Sequence, residues 1–468
     1  MARTTVADVL IDGLARAGAV RVFVAPDAPA ALRAAAGRRP LEIVEAPDAT
    51  AVGVLAAVSG ELGDGPGAAL AGLADPTGLV RGLAHAQRDR APLILVTDAG
   101  ADAALLAPVV KGTVTVEAGS AGHWIAHAAQ LAMADRRGPV HLVVAPGVSD
   151  ASTVPVAAIC RPAPLPPPTP DSLDAFGAAL AIATRPLLVT GLECGPDDAR
   201  WIRSFAETLP APVLATRKGK GALADPHPLA LGALVADHAA LTRADLVILL
   251  GVDAGELPPG VVPDATRIAR IGRASWPGGD FVAEATGDLA LVIEELAPYV
   301  RARPAADWDV AELDRVKRAI VRDAGAMPAA RLVARAREAT PAGTLATGDV
   351  PALAAWQAVG PREALSPIGA TPGYAVLAAL AAQLAHPDRR VVAFTTAGGL
   401  GAGAAALGRA AALSLPVLVV AFGSLDQGLM ARLERDGIAV RDCHGESGFA
   451  LEFSRAFLAG RPAVIAAG

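Results

Sequence analysis

Short runs of consecutive apolar residues, each followed by a stretch with helical spacing, recur from one end of this chain to the other. VRVFVAP (20–26), LEIVEAP (41–47), GAALAGL (67–73), APLILVTD (91–98) and GPVHLVVAP (138–146) make the first series. A strand that is apolar throughout, instead of at every second position, needs both faces covered, which is the situation in a parallel sheet flanked by helices. A second series follows in RPLLVTG (185–191), APVLATRKGKG (211–221), ADLVILLGV (244–252) and TRIARIG (266–272), and ends in GDLALVIEELAPYVRARPAADW (287–308). A third opens at GTLATGDV (343–350) and finishes with RPAVIAAG (461–468). The pattern predicts an α/β protein of three doubly wound parallel-sheet domains. Between the first two series lies RPAPLPPPTP (161–170), with six prolines in ten residues, stiff and extended. The expected division is therefore 1–155, a Pro-rich linker over 156–170, 171–325, and a shorter third domain over 326–468.

At 468 residues the chain is long enough for about three such cores. Hydrophobic residues make up 53% and charged residues 19%, yet no uncharged apolar run reaches the roughly 18 to 20 residues of a membrane helix. The first residues, MARTTVADVLIDGLARAG, have amphipathic helical spacing and not the layout of a signal peptide, so folding is expected from residue one, in the cytoplasm. A formal net charge of −6 with scattered arginines argues against nucleic-acid binding. Nine Phe, five Trp and two Tyr supply few platforms for stacking bases. Cys160, Cys194 and Cys443 have neither disulfide nor zinc spacing. Small molecules and other subunits are the expected partners, not nucleic acid or membrane.

TRKGKGALADPHPLALG (216–232) followed by ADLVILLGV resembles the central domain of thiamine diphosphate (ThDP) enzymes of the acetolactate synthase, benzoylformate decarboxylase and oxalyl-CoA decarboxylase group. GLADPTGLVRGLAHAQRDRAPLILVTD (72–98) looks like the pyrimidine-domain segment of that family, and SPIGATPGYAVLAALAAQLAHPDRRVVAFTTAGG (366–399) like the run into its diphosphate-domain motif. The resemblance covers essentially the whole chain. It implies a pyrimidine-binding-like domain, a central Rossmann-like domain and a diphosphate-binding-like domain.

The resemblance also locates a cofactor site, and this chain departs from the family there. A family Gly-Asp-Gly turn gives an aspartate to Mg²⁺, and an Asn-Asn pair after the next strand gives an amide oxygen. Hard cations require such ligands to bridge to a diphosphate. Over 391–428 the matching positions hold Thr396, Ala397 and Gly398, then Gly423 and Ser424. A methyl group coordinates nothing, so no metal ligand is assigned. Where relatives place a bulky apolar residue to prop the bent cofactor, this chain has Pro372. The family glutamate that activates the aminopyrimidine matches Asp48, or Glu45 if three residues are inserted in GELGDGPG and Gly60 takes the family glycine. Pro47 also sets Asp48 up as an ordinary helix N-cap. Only 44 residues follow Ser424, where the family has additional chain closing over the cofactor. ThDP and Mg²⁺ are thus implied by resemblance while their ligands are altered. The family's sites form between subunits, implying a dimer or a dimer of dimers, with 48–60 and 401–415 as the helices facing the interface, or a hetero-oligomer with an active relative.

Other constellations have simpler readings beside functional ones. Gly399, Gly401 and Ala404 match a dinucleotide fingerprint on an expected glycine turn, which could hold phosphate without metal or simply permit tight helix packing. DCHGE (442–446) gathers potential metal ligands on an expected loop, but five adjacent residues rarely converge on one centre. His85 and His227 read as structural. Lys218 and Lys220 could meet an acidic ligand in the central domain, which in relatives holds FAD, an ADP moiety or nothing, or could be solvated. Three functions remain open from sequence: a 2-oxo acid decarboxylase or carboligase-like enzyme using ThDP in an altered arrangement; an enzyme of the same scaffold with ThDP-independent chemistry; and a catalytically silent subunit or binding protein.

Overall fold

The computed structural model describes residues 4–155, 157–235, 238–302 and 306–468. The strands are β1 (Arg21–Val24), β2 (Glu42–Glu45), β3 (Gly67–Leu70), β4 (Leu93–Asp98), β5 (Gly112–Val116), β6 (Pro139–Val144), β7 (Pro186–Thr190), β8 (Val213–Ala215), β9 (Ala230–Ala233), β10 (Leu246–Leu250), β11 (Arg267–Gly272), β12 (Ala283–Thr286), β13 (Leu345–Gly348), β14 (Ala364–Leu365), β15 (Val391–Thr396), β16 (Val417–Phe422), β17 (Ala439–Cys443) and β18 (Ala463–Ala467). The α-helices are α1 (Val6–Arg16), α2 (Ala30–Ala36), α3 (Ala49–Leu62), α4 (Pro76–Arg88), α5 (Ala121–Met133), α6 (Pro170–Ala181), α7 (Ala199–Thr208), α8 (Leu289–Ala302), α9 (Val310–Ala326), α10 (Pro328–Glu338), α11 (Tyr374–Ala385), α12 (Ala397–Ala412), α13 (Gln427–Arg435) and α14 (Gly445–Ala459). The expected start of folding at residue one falls partly on residues 1–3, outside the described residues. Helix α1 begins at Val6, where Thr5 and Asp8 form a reciprocal capping box.

Three parallel six-stranded sheets form, as the uninterrupted apolar runs require. The first has the order β2-β1-β3-β4-β6-β5, and the third, β14-β13-β15-β16-β18-β17, repeats it with every strand number raised by 12. The middle sheet, β12-β11-β10-β7-β8-β9, has the Rossmann order, with its topological switch between β7 and β10. Both faces of that sheet are covered. Leu188, Ile248 and Leu250 join one apolar core, while their neighbours Leu187, Val189, Val247 and Leu249 join the other. No described helix is long and apolar enough to cross a membrane.

The chain divides into two compact units, one of Met1–Ala163 with Gly369–Asp442 and Ala456–Gly468, the other of Pro164–Ile368 with Cys443–Arg455. Within the first unit α3 packs on α4 and on α11. Small residues make this possible: a Cβ on Gly53 would lie 2.7 Å from the Cα of Gly82, so the two backbones touch. Ten of the fourteen residues of α3 are buried within this one chain. Helix α11 approaches α12 just as closely. Gly373, at φ +75°, caps α11, and a Cβ there would meet Gly403 N at 2.9 Å.

Two local expectations change. The residues after β15 are not a glycine turn: α12 starts at Ala397, directly after the strand, and contains Gly398, Gly399 and Gly401 in its first turns. Thr396 is the cause, since its Oγ1 accepts a hydrogen bond from Gly399 N at 3.1 Å and so nucleates the helix. DCHGE is not a loop either. Asp442 and Cys443 end β17, and Gly445 begins α14.

Candidate functional site

The ends of β15 and β16 lie side by side, with Thr396 in register with Phe422. They deliver Ala397, at the N-terminus of α12, and Ser424 to one cavity of about 460 Å³. Gly398, Gly401, Asp426, Leu429 and Arg432 complete its walls. Four of the positions singled out in the sequence therefore share this cavity: Ala397, Gly398, Gly401 and Ser424. Thr396 caps the helix beneath it, and Gly423 turns the chain into it at φ +100°. A Cβ at Gly423 would meet nothing within 4 Å, and one at Gly401 only Leu429 Cδ2 at 4.0 Å, so there is open space beside the helix terminus. The first amides of a helix have no intrahelical partner and favour negative charge. Gly399 N is already satisfied by Thr396.

Asp426 was not among the sequence candidates. It is the carboxylate of this cavity, and its Oδ1 accepts from Leu429 N at 2.8 Å to cap α13. The signal was available in SLDQG, an Asp just after a strand end and just before a helical stretch. Among the described residues, no three His, Cys, Asp or Glu side chains gather as a metal site.

On the other side of α12 lies a second cavity of about 230 Å³, lined by Asp48, Asp75, Arg81, Pro372, Leu377 and Ala402. Here the structure distinguishes the two carboxylates left open by the sequence. Asp48 reaches this cavity together with Pro372. Glu45 ends β2 and forms an ion pair with Arg33 at 2.5 Å. Asp48 is also an N-cap, its Oδ1 accepting from Ala51 N at 2.8 Å. Asp75 caps α4 in the same way, through Gly78 N at 2.9 Å. Arg81, one turn into α4, brings a guanidinium to the same space. The sequence reading missed Asp75 and Arg81, which look in sequence like a helix cap and a solvated face. His85, further along α4, is buried, with Nδ1 3.3 Å from Thr371 Oγ1 and 3.8 Å from Asp89 Oδ1. It braces the turn before Pro372.

The central sheet has its own polar centre. At the switch between β7 and β10, Glu256 is half-buried as a residue with its carboxyl group enclosed, and it accepts three hydrogen bonds, from Leu192 N at 2.9 Å, Asp253 N at 3.0 Å and Thr216 Oγ1 at 2.5 Å. Burial outweighs those bonds and pushes its carboxyl up to about 7. Thr216 opens the TRKGKG motif, whose lysines are further on. Lys220 pairs with Asp225 at 2.7 Å, and His227 with Glu207 at 3.1 Å. Arg270 is almost fully buried, held by Glu284 at 2.9 Å and by Ala274 O at 2.6 Å.

Comparison with known proteins gives this architecture its relatives. The chain aligns with a solved structure, a putative thiamin diphosphate-dependent enzyme from Mycobacterium smegmatis, at a TM-score of 0.81 over 99% of both chains with 19% identity. That likeness defines the class: an α/β protein of three doubly wound sheets. Residues 173–296 match the thiamine pyrophosphate enzyme central domain, and residues 347–443 the C-terminal TPP binding domain. An acetolactate synthase large subunit from Parasynechococcus marenigrum is 29% identical over 78% of this chain and 65% of its own length. The isozyme 1 large subunit from Escherichia coli is 29% identical over 72% of this chain and 65% of its own. Oxalyl-CoA decarboxylase from E. coli is 32% identical over 24% of this chain. The chain belongs to the thiamine diphosphate enzyme superfamily and spans about two thirds of the length of the acetolactate synthases it matches.

Proposed function

We propose that this protein is an acetolactate synthase-like member of the superfamily in which Mg²⁺-anchored ThDP binding has been lost, and in which the cavities beside α12 hold an anionic ligand without metal. The observation that carries this reading is the donor set at the ends of β15 and β16. Ala397 contributes a methyl group and Ser424 a neutral hydroxyl, while the carboxylate of Asp426 is bonded to the N-terminus of α13. A hard divalent cation seeks about six oxygen ligands, several of them charged, and this set does not fit a Mg²⁺-bridged diphosphate. An anion fits better, since the terminus of α12 opens onto free space and Arg432 lies in the same wall.

The chemistry left to the chain's own residues is that of carboxylates and a guanidinium. Asp48 and Asp75 can accept a proton, and Arg81 can orient a carboxylate or carbonyl of an acidic substrate through its planar donors. Lyase or carboligase ancestry is supported by the likeness to acetolactate synthases and oxalyl-CoA decarboxylase.

Calorimetric titration with ThDP, with and without Mg²⁺, tests the proposal. The expected result is no submillimolar, metal-dependent binding. Submillimolar binding that requires Mg²⁺ would overturn it. In the double variant Ala397→Asp, Ser424→Asn, recovery of metal-dependent binding is expected if these two positions are what was lost.

A further inference from the structure

A third cavity, of about 360 Å³, lies within the unit that contains the central sheet, between β9, α9, α10 and the segment 354–357. Its size falls in the range of small-molecule sites. The floor is apolar: Leu231, Ile320, Ala330, Ala334, Ala355 and Trp356 line it. Around this floor stand four basic side chains against three acidic ones. Three of the cations face a carboxylate. Lys220 meets Asp225 at 2.7 Å, Arg331 meets Glu446, and Arg335 meets Glu338 at 2.8 Å. Lys317 is different, because its ammonium donates to two backbone carbonyls, His227 O at 2.6 Å and Asp225 O at 3.3 Å. The one positive charge in excess is thus centred on Lys317, on the wall of an apolar chamber.

We propose that this cavity is a binding site for a small organic acid with an apolar body, its carboxylate held by Lys317 and its hydrocarbon part packed on Ile320, Ala334 and Ala355. Carbonyls neutralise no charge, so an incoming carboxylate gains an attraction at Lys317 that it would not gain at the three paired cations. Burial already depresses the Lys317 ammonium, with the charges of Asp225 and Asp314 opposing that effect. Desolvation of this kind strengthens an ion pair formed there. The apolar floor excludes highly hydrated dianions such as free phosphate, and the net positive charge disfavours amines. None of these residues belongs to the cavities beside α12, so this site stands or falls independently of the function proposed above.

The test uses the full chain and the fluorescent aromatic monoanion 8-anilinonaphthalene-1-sulfonate as the reporter, displaced by octanoate, 1-octanol or octylamine at pH 7.5. Octanoate is expected to displace the probe at a concentration at least tenfold below that needed for octanol or octylamine. Lys317→Met should weaken octanoate at least tenfold while leaving octanol within twofold. Because Lys317 also ties down two carbonyls, a second variant is made at the exposed rim: Ala354→Glu adds a negative charge and should weaken octanoate at least fivefold. Equal displacement by octylamine, or unchanged octanoate affinity in Ala354→Glu, would overturn the proposal.

Discussion

The ends of β15 and β16 and the ends of β7 and β10 are both pairs of neighbouring strand ends in parallel sheets, but only the second pair flanks a topological switch, that of the third sheet lying between β13 and β15. They have been treated in opposite ways. Beside α12 the chain presents a methyl group, glycines and open space. At the central switch point it presents an enclosed carboxylate on the half-buried Glu256, which takes the amides of Leu192 and Asp253 and the hydroxyl of Thr216. Such amides are the groups that hold the phosphate of a bound nucleotide. An FAD or ADP moiety, considered from the resemblance, would have to compete there with an internal anion. Strand ends of a parallel sheet are left open in one case and filled in the other by a few side chains.

Three measurements would break or sharpen this contrast. The largest effect is expected from pH at the filled end. The folded protein retains the Glu256 proton up to about pH 7, whereas the unfolded chain releases it near the ordinary glutamate value of 4.5. The stabilisation from that proton is full below about 4.5 and is lost as pH rises through 7. It amounts to about 3 kcal/mol, to be read from urea denaturation across that range. Glu256→Gln should flatten this slope, and an unchanged slope would remove Glu256 as its source.

At the open end, two neighbouring glycines of α12 should respond with opposite signs. A Cβ at Gly403 would stand 2.6 Å from the Cβ of Val376, so Gly403→Ala is expected to cost about 2 kcal/mol of folding stability by forcing α11 and α12 apart. A neutral Gly403→Ala would mean that the contact is looser than described. Gly401→Ala should instead stabilise by about 0.5 to 1 kcal/mol, raising the thermal midpoint, because the added methyl meets nothing closer than 4.0 Å and the unfolded chain loses freedom. Destabilisation there would show that the cavity wall is closer than it stands.

What could be read from the sequence follows burial. The apolar runs picked out in the chain are the interior strands of the three sheets, together with β2. The strands that escaped notice are β5, β9, β12, β14 and β17, and all five are sheet edges. An edge strand is covered on fewer sides, so its residues need not be apolar: GTVTV and AVRDC alternate or are largely exposed. The same logic explains the site. Ala397, Ser424 and Pro372 were singled out from the resemblance, which aligns each with a family site position, and they stand on cavity walls. Asp75, Arg81 and Asp426 were not, because a cap or an exposed cation on a helix looks the same whether it faces solvent or a cavity.

The sequence by itself determined the class of fold, the interior strands of its sheets, and the strand ends and helix starts at which Asp48, Ala397 and Ser424 fall. Uninterrupted apolar strands and capped helices are local patterns, and local patterns survive in one dimension. Only the tertiary structure decided between Asp48 and Glu45 as the neighbour of Pro372, turned the glycines after Thr396 into the first turns of a helix, and placed Glu256 in the central crevice. Those outcomes depend on which distant segments meet, and on burial, which sets both the room beside a glycine and the affinity of a carboxylate for its proton.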